Sequence, residues 1–192
     1  MILPESPSAW FNLGQIYQSR SQVDSSAHCF EQAAKYNPDD PRYLLKLASA
    51  RSNQGRFAEV LAPISTCERL DPDNPTVQTT YGIALYRLGR VPEALAKLQR
   101  AYTLSHGGEE ACSNLGAAYF GLERLDSATH YFDRAVALGS RAPRVLESSI
   151  IAYLALGQDA AAQRALNMYR TINPNAGDLD FYRRQLGALK QP

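Results

Sequence analysis

The sequence predicts an all-α fold, a right-handed α-solenoid of five helix-turn-helix repeats closed by a C-terminal capping helix. Three observations carry the repeat. Pro7, Pro41, Pro75 and Pro143 fall on one column of a 34-residue frame, and Pro38, Pro72 and Pro174 fall on a second. Gly14, Gly82 and Gly116 share a column of the same frame, as do Gly55, Gly89 and Gly157. Between these breaks the apolar residues follow helical spacing. The 192 residues then divide into a leader (1–6), repeats 7–40, 41–74, 75–108, 109–142 and 143–176, and a tail (177–192).

Each repeat opens with a helix A. Proline suits its first position because that N–H has no intrahelical partner, and Ser6, Asp40 and Asn74 stand before it as N-caps. In the first repeat Trp10, Leu13 and Tyr17 share one face. Glycine at position 15 in three repeats turns the chain into helix B, whose face in the first repeat is lined by Val23, Ala27, Phe30 and Ala34. Position 24 reads Phe30, Ile64, Leu98, Phe132, Leu166, and position 27 reads Ala33, Cys67, Ala101, Ala135, Tyr169. The last turn of helix B carries a large group throughout: Tyr36, Leu70, Leu104, Leu138, Ile172. Asn37-Pro38, Asp71-Pro72 and Asn173-Pro174 then stop the helix. Pro63 falls inside the second helix B, where a proline costs about 3 kcal/mol. A kink is expected there, with the helix continuing because Ile64, Cys67 and Leu70 keep core spacing. In the tail Leu179, Tyr182, Leu186 and Leu189 alternate with Asp180, Arg183, Arg184 and Lys190, as a helix covering the last apolar face would require. The first repeat has no such cover, so an upstream continuation or a partner is expected at that end.

Hydrophobic residues make up 45% of the chain and charged residues 20%, which is a core-forming composition. Twenty basic against nineteen acidic residues argue against a nucleic-acid partner. No run of about 18 apolar residues exists to span a membrane. Met1-Ile2-Leu3-Pro4-Glu5 lacks the parts of a signal peptide, and Cys29, Cys67 and Cys112 read as reduced, packed thiols. Together these favour a cytoplasmic chain, or a periplasmic one if a signal segment has been removed. HExxH, GxxxxGK, GxGxxG and GxSxG are all missing. His28, His106 and His130 lie in different repeats, and His28 and Cys29 point about 100° apart on a helix. Glu109-Glu110 suits a helix N-terminus, and proline disqualifies Asn74-Pro75-Thr76 as a glycosylation site. No catalytic residue, metal or cofactor is expected.

Trp10-x-x-Leu13-Gly14-x-x-Tyr17, followed by Phe30-x-x-Ala33 and Pro38, resembles the tetratricopeptide repeat, and the resemblance covers 170 of 192 residues. Gln78 at position 4, Ile150 at position 8, and His106 and Ser140 at position 32 depart from the pattern. The resemblance implies a right-handed superhelix whose concave groove is lined by positions 2, 5, 6, 9, 12 and 13 of the A helices. Carried over, these positions give a polar stretch of Asn12, Gln15, Arg42, Lys46, Ser49 and Asn53, with Arg87 on its rim. Asn114 stands at position 6 of the fourth repeat. Position 9 reads Ile83, Ala117, Ile151 and position 12 reads Tyr86, Phe120, Leu154, two apolar columns facing the groove. Asn12, Arg42 and Lys46 are similar to the carboxylate clamp of chaperone-binding members. The implied partner is a protein or peptide, as a helix or extended segment, with an acidic segment expected at the polar end in a salt-sensitive manner. Terminal faces of a solenoid can also pair copies into a homo-oligomer. The alternatives are a repeat region belonging to a larger glycosyltransferase, sulfotransferase or polysaccharide-export protein, and a bacterial pilus or secretion assembly factor.

Overall fold

The computed structural model describes residues 6–188, all of whose regular elements are helical. The leader before Ser6 and the predicted tail residues Leu189 and Lys190 lie outside the described residues. The chain forms two compact units, dividing between Leu104 and Ser105. The first unit holds three hairpins. They are α1 (Pro7–Ser19) with α2 (Val23–Tyr36), α3 (Pro41–Asn53) with a 3-10 turn (Phe57–Val60) and α4 (Leu61–Leu70), and α5 (Pro75–Arg87) with α6 (Val91–Leu104). The second unit holds α7 (Glu109–Gly121) with α8 (Leu125–Ala137), α9 (Pro143–Ala155) with α10 (Asp159–Ile172), and α11 (Leu179–Ala188).

Local chemistry sets the boundaries. The side chains of Ser6, Asp40 and Asn74 accept backbone N–H bonds at the starts of α1, α3 and α5, each ahead of a proline. At the A-to-B turn the backbone is left-handed in every repeat, with φ +74° at Gly55, +77° at Gly89 and +67° at Gly157. Ser21 and Glu123 adopt the same conformation at φ +57°. The left-handed residue's own N–H reaches back three residues, and the next N–H reaches back five to close the helix end: Gln22 to Tyr17, Arg56 to Arg51, Arg90 to Leu85, Arg124 to Tyr119 and Gln158 to Tyr153, at 2.8–3.0 Å. Two orphan carbonyls are thereby satisfied at each corner.

Within each hairpin, position 8 meets position 24. A Cβ added at Gly14 would lie 2.6 Å from the Phe30 ring, at Gly82 2.7 Å from Leu98, and at Gly116 2.4 Å from Phe132. The missing side chain makes the hole that the large one fills. The second hairpin uses Ala48 with Ile64, and the fifth uses Ile150 with Leu166, each pair buried in one cluster. All residues at positions 24 and 27 are buried. The last-turn groups of helix B are not: Tyr36, Leu70, Leu138 and Ile172 are exposed, because position 30 turns away from the paired helix A.

Pro63 does not kink a helix. The second helix B opens as a 3-10 turn over Phe57–Val60, and α4 begins only at Leu61. Pro63 is therefore the third residue of α4, within its first turn, where proline is tolerated best. The distortion is displaced toward the N-terminus, and Ile64 and Cys67 beyond it reach the core.

Polar groups join successive hairpins inside each unit. In the first, the buried Arg51 donates to Glu31 Oε1 of α2 (2.8 Å) and to Gln54 (3.1 Å), with Glu59 at 3.6 Å. Gln78 is fully buried, and its amide donates to Glu68 (2.9 Å) and the Pro72 carbonyl (3.0 Å). Lys97 closes on Glu68 and sits over the Tyr81 ring. Burial works to raise the Glu68 pKa, yet the bonds from Lys97 and Gln78 hold it below the ordinary value. In the second unit tyrosines fill this role: Tyr153 donates to Asp133, Tyr169 to Asp178 and Tyr182 to Glu147. The apolar face of α11 is buried through Leu179, Tyr182 and Leu186, in one cluster with Leu146, Ile150 and Leu166.

Candidate partner-binding face

Among the described residues no three His, Cys, Asp or Glu side chains are placed to hold a metal ion. Cys29, Cys67 and Cys112 are free and buried. Burial, with Asp71 adding to it, pushes the Cys67 thiol up to about 11, so the nucleophilic thiolate is scarce near neutrality. His28 is exposed and meets Trp10 edge-on rather than Cys29. Among the described residues no helix is long and apolar enough to cross a membrane.

In the first unit Asn12, Gln15 and Asn53 are exposed, while Lys46 and Ser49 are half-buried. Arg42 is exposed but engaged. Its guanidinium grips the N-cap Asp40 through Nε (3.0 Å) and Nη2 (2.7 Å). The Arg42 side-chain bond is the chief reason the Asp40 carboxyl lies below the usual carboxylate range. Lys46 Nζ donates to Gln18 Oε1 at 3.5 Å. Arg87 lies over the Phe57 ring, 4.5 Å from its centroid. The three basic residues expected along the polar stretch thus each hold a neighbour within the unit. Ile83 and Tyr86 at the third hairpin are half-buried.

The second unit differs. Ala117 and Phe120 are half-buried, Phe120 tilting against Phe132 with ring centroids 6.5 Å apart. Ile151 is 40% exposed. Leu154, half-buried, leans on the core cluster of α9, α10 and α11. Asn114 is half-buried, with an amide nitrogen that is buried and without an acceptor among the described residues. Phe120 and Leu154 therefore have one side packed and part of their surface open.

Sequence reasoning missed Arg51, Gln78's bonds and the Tyr153–Asp133 pair. The register held a signal for two of them. Arg51 and Tyr153 occupy position 11, and Glu31 and Asp133 occupy position 25 of the preceding repeat. A polar residue in an otherwise apolar column, matched by a carboxylate one repeat earlier, marks a pair across hairpins.

Comparison with known proteins agrees with this architecture. A tetratricopeptide repeat family model matches residues 11–75 and 66–109, and another matches residues 110–142. No curated protein sequence matches the chain significantly. Among solved structures, the chain is similar to PilW, a type IV pilus biogenesis factor, with 21% identity and a TM-score of 0.79, over 93% of this chain and 83% of that one. It is similar to YrrB, a repeat protein with an unusual peptide-binding site, with 16% identity and a TM-score of 0.72, over 94% and 93%. It is also similar to PilF of Pseudomonas aeruginosa, with 17% identity and a TM-score of 0.74, over 95% and 88%. With helical hairpins on a 34-residue frame and family models matching well over half its length, the chain belongs to the tetratricopeptide repeat family.

Proposed function

We propose that the chain is a non-enzymatic interaction module that holds a helix or extended segment of a partner protein against its A-helix faces. The observation that carries this reading is the open apolar column of the second unit. Leu154 and Phe120 are each packed on one side and half-exposed, and Ile151 beside Leu154 on α9 is 40% exposed, so a partner's apolar side chains gain burial there at about 25 cal/mol per Å². Charge attraction to an acidic segment is weaker than the sequence suggests, because Arg42 is already neutralised by Asp40.

A photo-crosslinking side chain at Ile151 tests this in the source organism. It should capture a discrete partner that the same group at Leu138, exposed at the end of α8, does not. Equal capture from both positions, or none from Ile151, would discard the proposal. A second reading, as a pilus or secretion assembly factor, draws support from the likeness to PilW and PilF. It predicts loss of assembled pili or of secretion in a deletion strain, with complementation failing for Ile151→Asp.

A further inference from the structure

A different surface has the register of a docking site. A recess of about 410 Å³ lies between α1 and α2, lined by Trp10, Leu13 and Tyr17 of helix A and by Ser25, His28 and Cys29 of helix B. These are positions 4, 7, 11, 19, 22 and 23. The fifth hairpin has a recess on the same six positions, formed by Leu146, Ser149, Tyr153, Ala161, Arg164 and Ala165, but of about 190 Å³. There the preceding helix B supplies a lid, with Asp133 and Val136 of α8, at positions 25 and 28, on the rim. Asp133 accepts the hydrogen bond from Tyr153, which is 5% exposed. In the second hairpin the same two positions of α2 are Glu31, bonded to Arg51, and the buried Ala34. Two hairpins are thus covered by one pattern, a carboxylate followed three residues later by an apolar side chain.

Nothing among the described residues covers the first hairpin in this way. Tyr17 is half-buried, and the Trp10 indole N–H is buried without an acceptor among the described residues. Asp24, also at the recess, already accepts from Gln54 at 2.7 Å. We propose that this recess docks an amphipathic helix of a partner protein, whose carboxylate accepts the Tyr17 hydroxyl and whose apolar residue three positions on seats against Trp10 and Leu13. In a second copy of the chain the helices that carry that pattern, α2 and α8, already use it within the chain. Its last helix B, α10, carries Asn167 and Arg170 at the two positions, neither a carboxylate nor an apolar group.

Trp10 is the single tryptophan, so its emission reports the recess. The probe is a synthetic peptide of residues 125–138, the α8 sequence, locked helical by a lactam bridge on its outer face because short free helices are marginal. Adding it should shift Trp10 emission to the blue and saturate in the range of about 10–100 µM. Replacing Asp133 by Asn in the peptide should weaken binding about tenfold. Tyr17→Phe in the chain should weaken it similarly, and the two changes together no more than either one. The peptide substitution keeps the test valid should Tyr17→Phe disturb folding. Absence of a saturable shift up to about 1 mM peptide, or equal affinity of the Asp133→Asn peptide, overturns the proposal. So does a blue shift that grows with chain concentration alone alongside a dimer in sedimentation, since the occupant would then be a second copy.

Discussion

The two units are built on one frame and stitched by different chemistry. Hairpins of the first are joined through Arg51 with Glu31, Lys97 with Glu68, and Arg100 with Asp73. The second is joined through the hydroxyls of Tyr153, Tyr169 and Tyr182, each donating to a carboxylate. Their A-helix faces differ in the same sense, with Asn12, Gln15 and Lys46 in one and Ala117, Phe120 and Ile151 in the other. The shared columns, positions 8, 24 and 27, are those that touch inside a hairpin. Packing thus constrains a few columns tightly and leaves the inter-hairpin slots free to be ionic or neutral, and the open face free to be polar or apolar.

The largest expected effect tests what is shared. Gly116→Ala drives a Cβ into the Phe132 ring and Gly14→Ala does the same at Phe30. Each should cost about 2–3 kcal/mol in urea unfolding, as overpacking does, with part of the loss at Gly116→Ala recovered by adding Phe132→Leu. Gly89→Ala meets no neighbouring atom, so any loss there comes from its left-handed backbone alone.

The next tests the difference. Glu31→Gln combined with Glu59→Gln leaves a buried guanidinium without its carboxylates, at a cost of about 2 kcal/mol. Arg51→Met should cost less, because the freed carboxylates are half exposed and rehydrate. At the matching slot of the second unit, Tyr153→Phe should cost about 1 kcal/mol, and a loss as large as the double Glu variant would erase the contrast.

Acid and alkali should separate the units further. Asp40 and Glu68 are held below their ordinary values of 3.8 and 4.5, so the stability they contribute is full above those values and lost as pH falls through the depressed ones. In Tyr153 and Tyr182 burial first, then the neighbouring carboxylates, raise the hydroxyl above 10. That contribution is full below pH 10 and disappears as pH climbs toward the raised values. Hydrogen exchange by mass spectrometry should show α3 to α6 opening first in acid and α9 to α11 first in alkali. The reverse order would break the comparison.

The smallest effect is a gain. Ser21 and Glu123 occupy the left-handed corner that Gly55, Gly89 and Gly157 fill elsewhere. Ser21→Gly and Glu123→Gly should each raise stability by about 0.5–1 kcal/mol, read as a higher urea midpoint.

Much of this architecture was legible before any coordinates. Punctuation by Pro7, Pro41 and Gly55 acts through local backbone geometry, so a 34-residue spacing of such residues already dictates hairpins and their corners. The buried columns followed from helical periodicity for the same reason. Three matters needed the tertiary structure. The place of Pro63 depended on where hydrogen bonding switches from 3-10 to α, which a single residue does not encode. The state of Arg42 depended on the rotamer that brings it onto Asp40 rather than toward a partner. The cover on Arg51 and Tyr153 depended on which helix lies alongside. Local propensity acts over a few residues of chain, whereas burial and ion pairing are decided by groups 20 residues away, as Glu31 is from Arg51 and Asp133 from Tyr153.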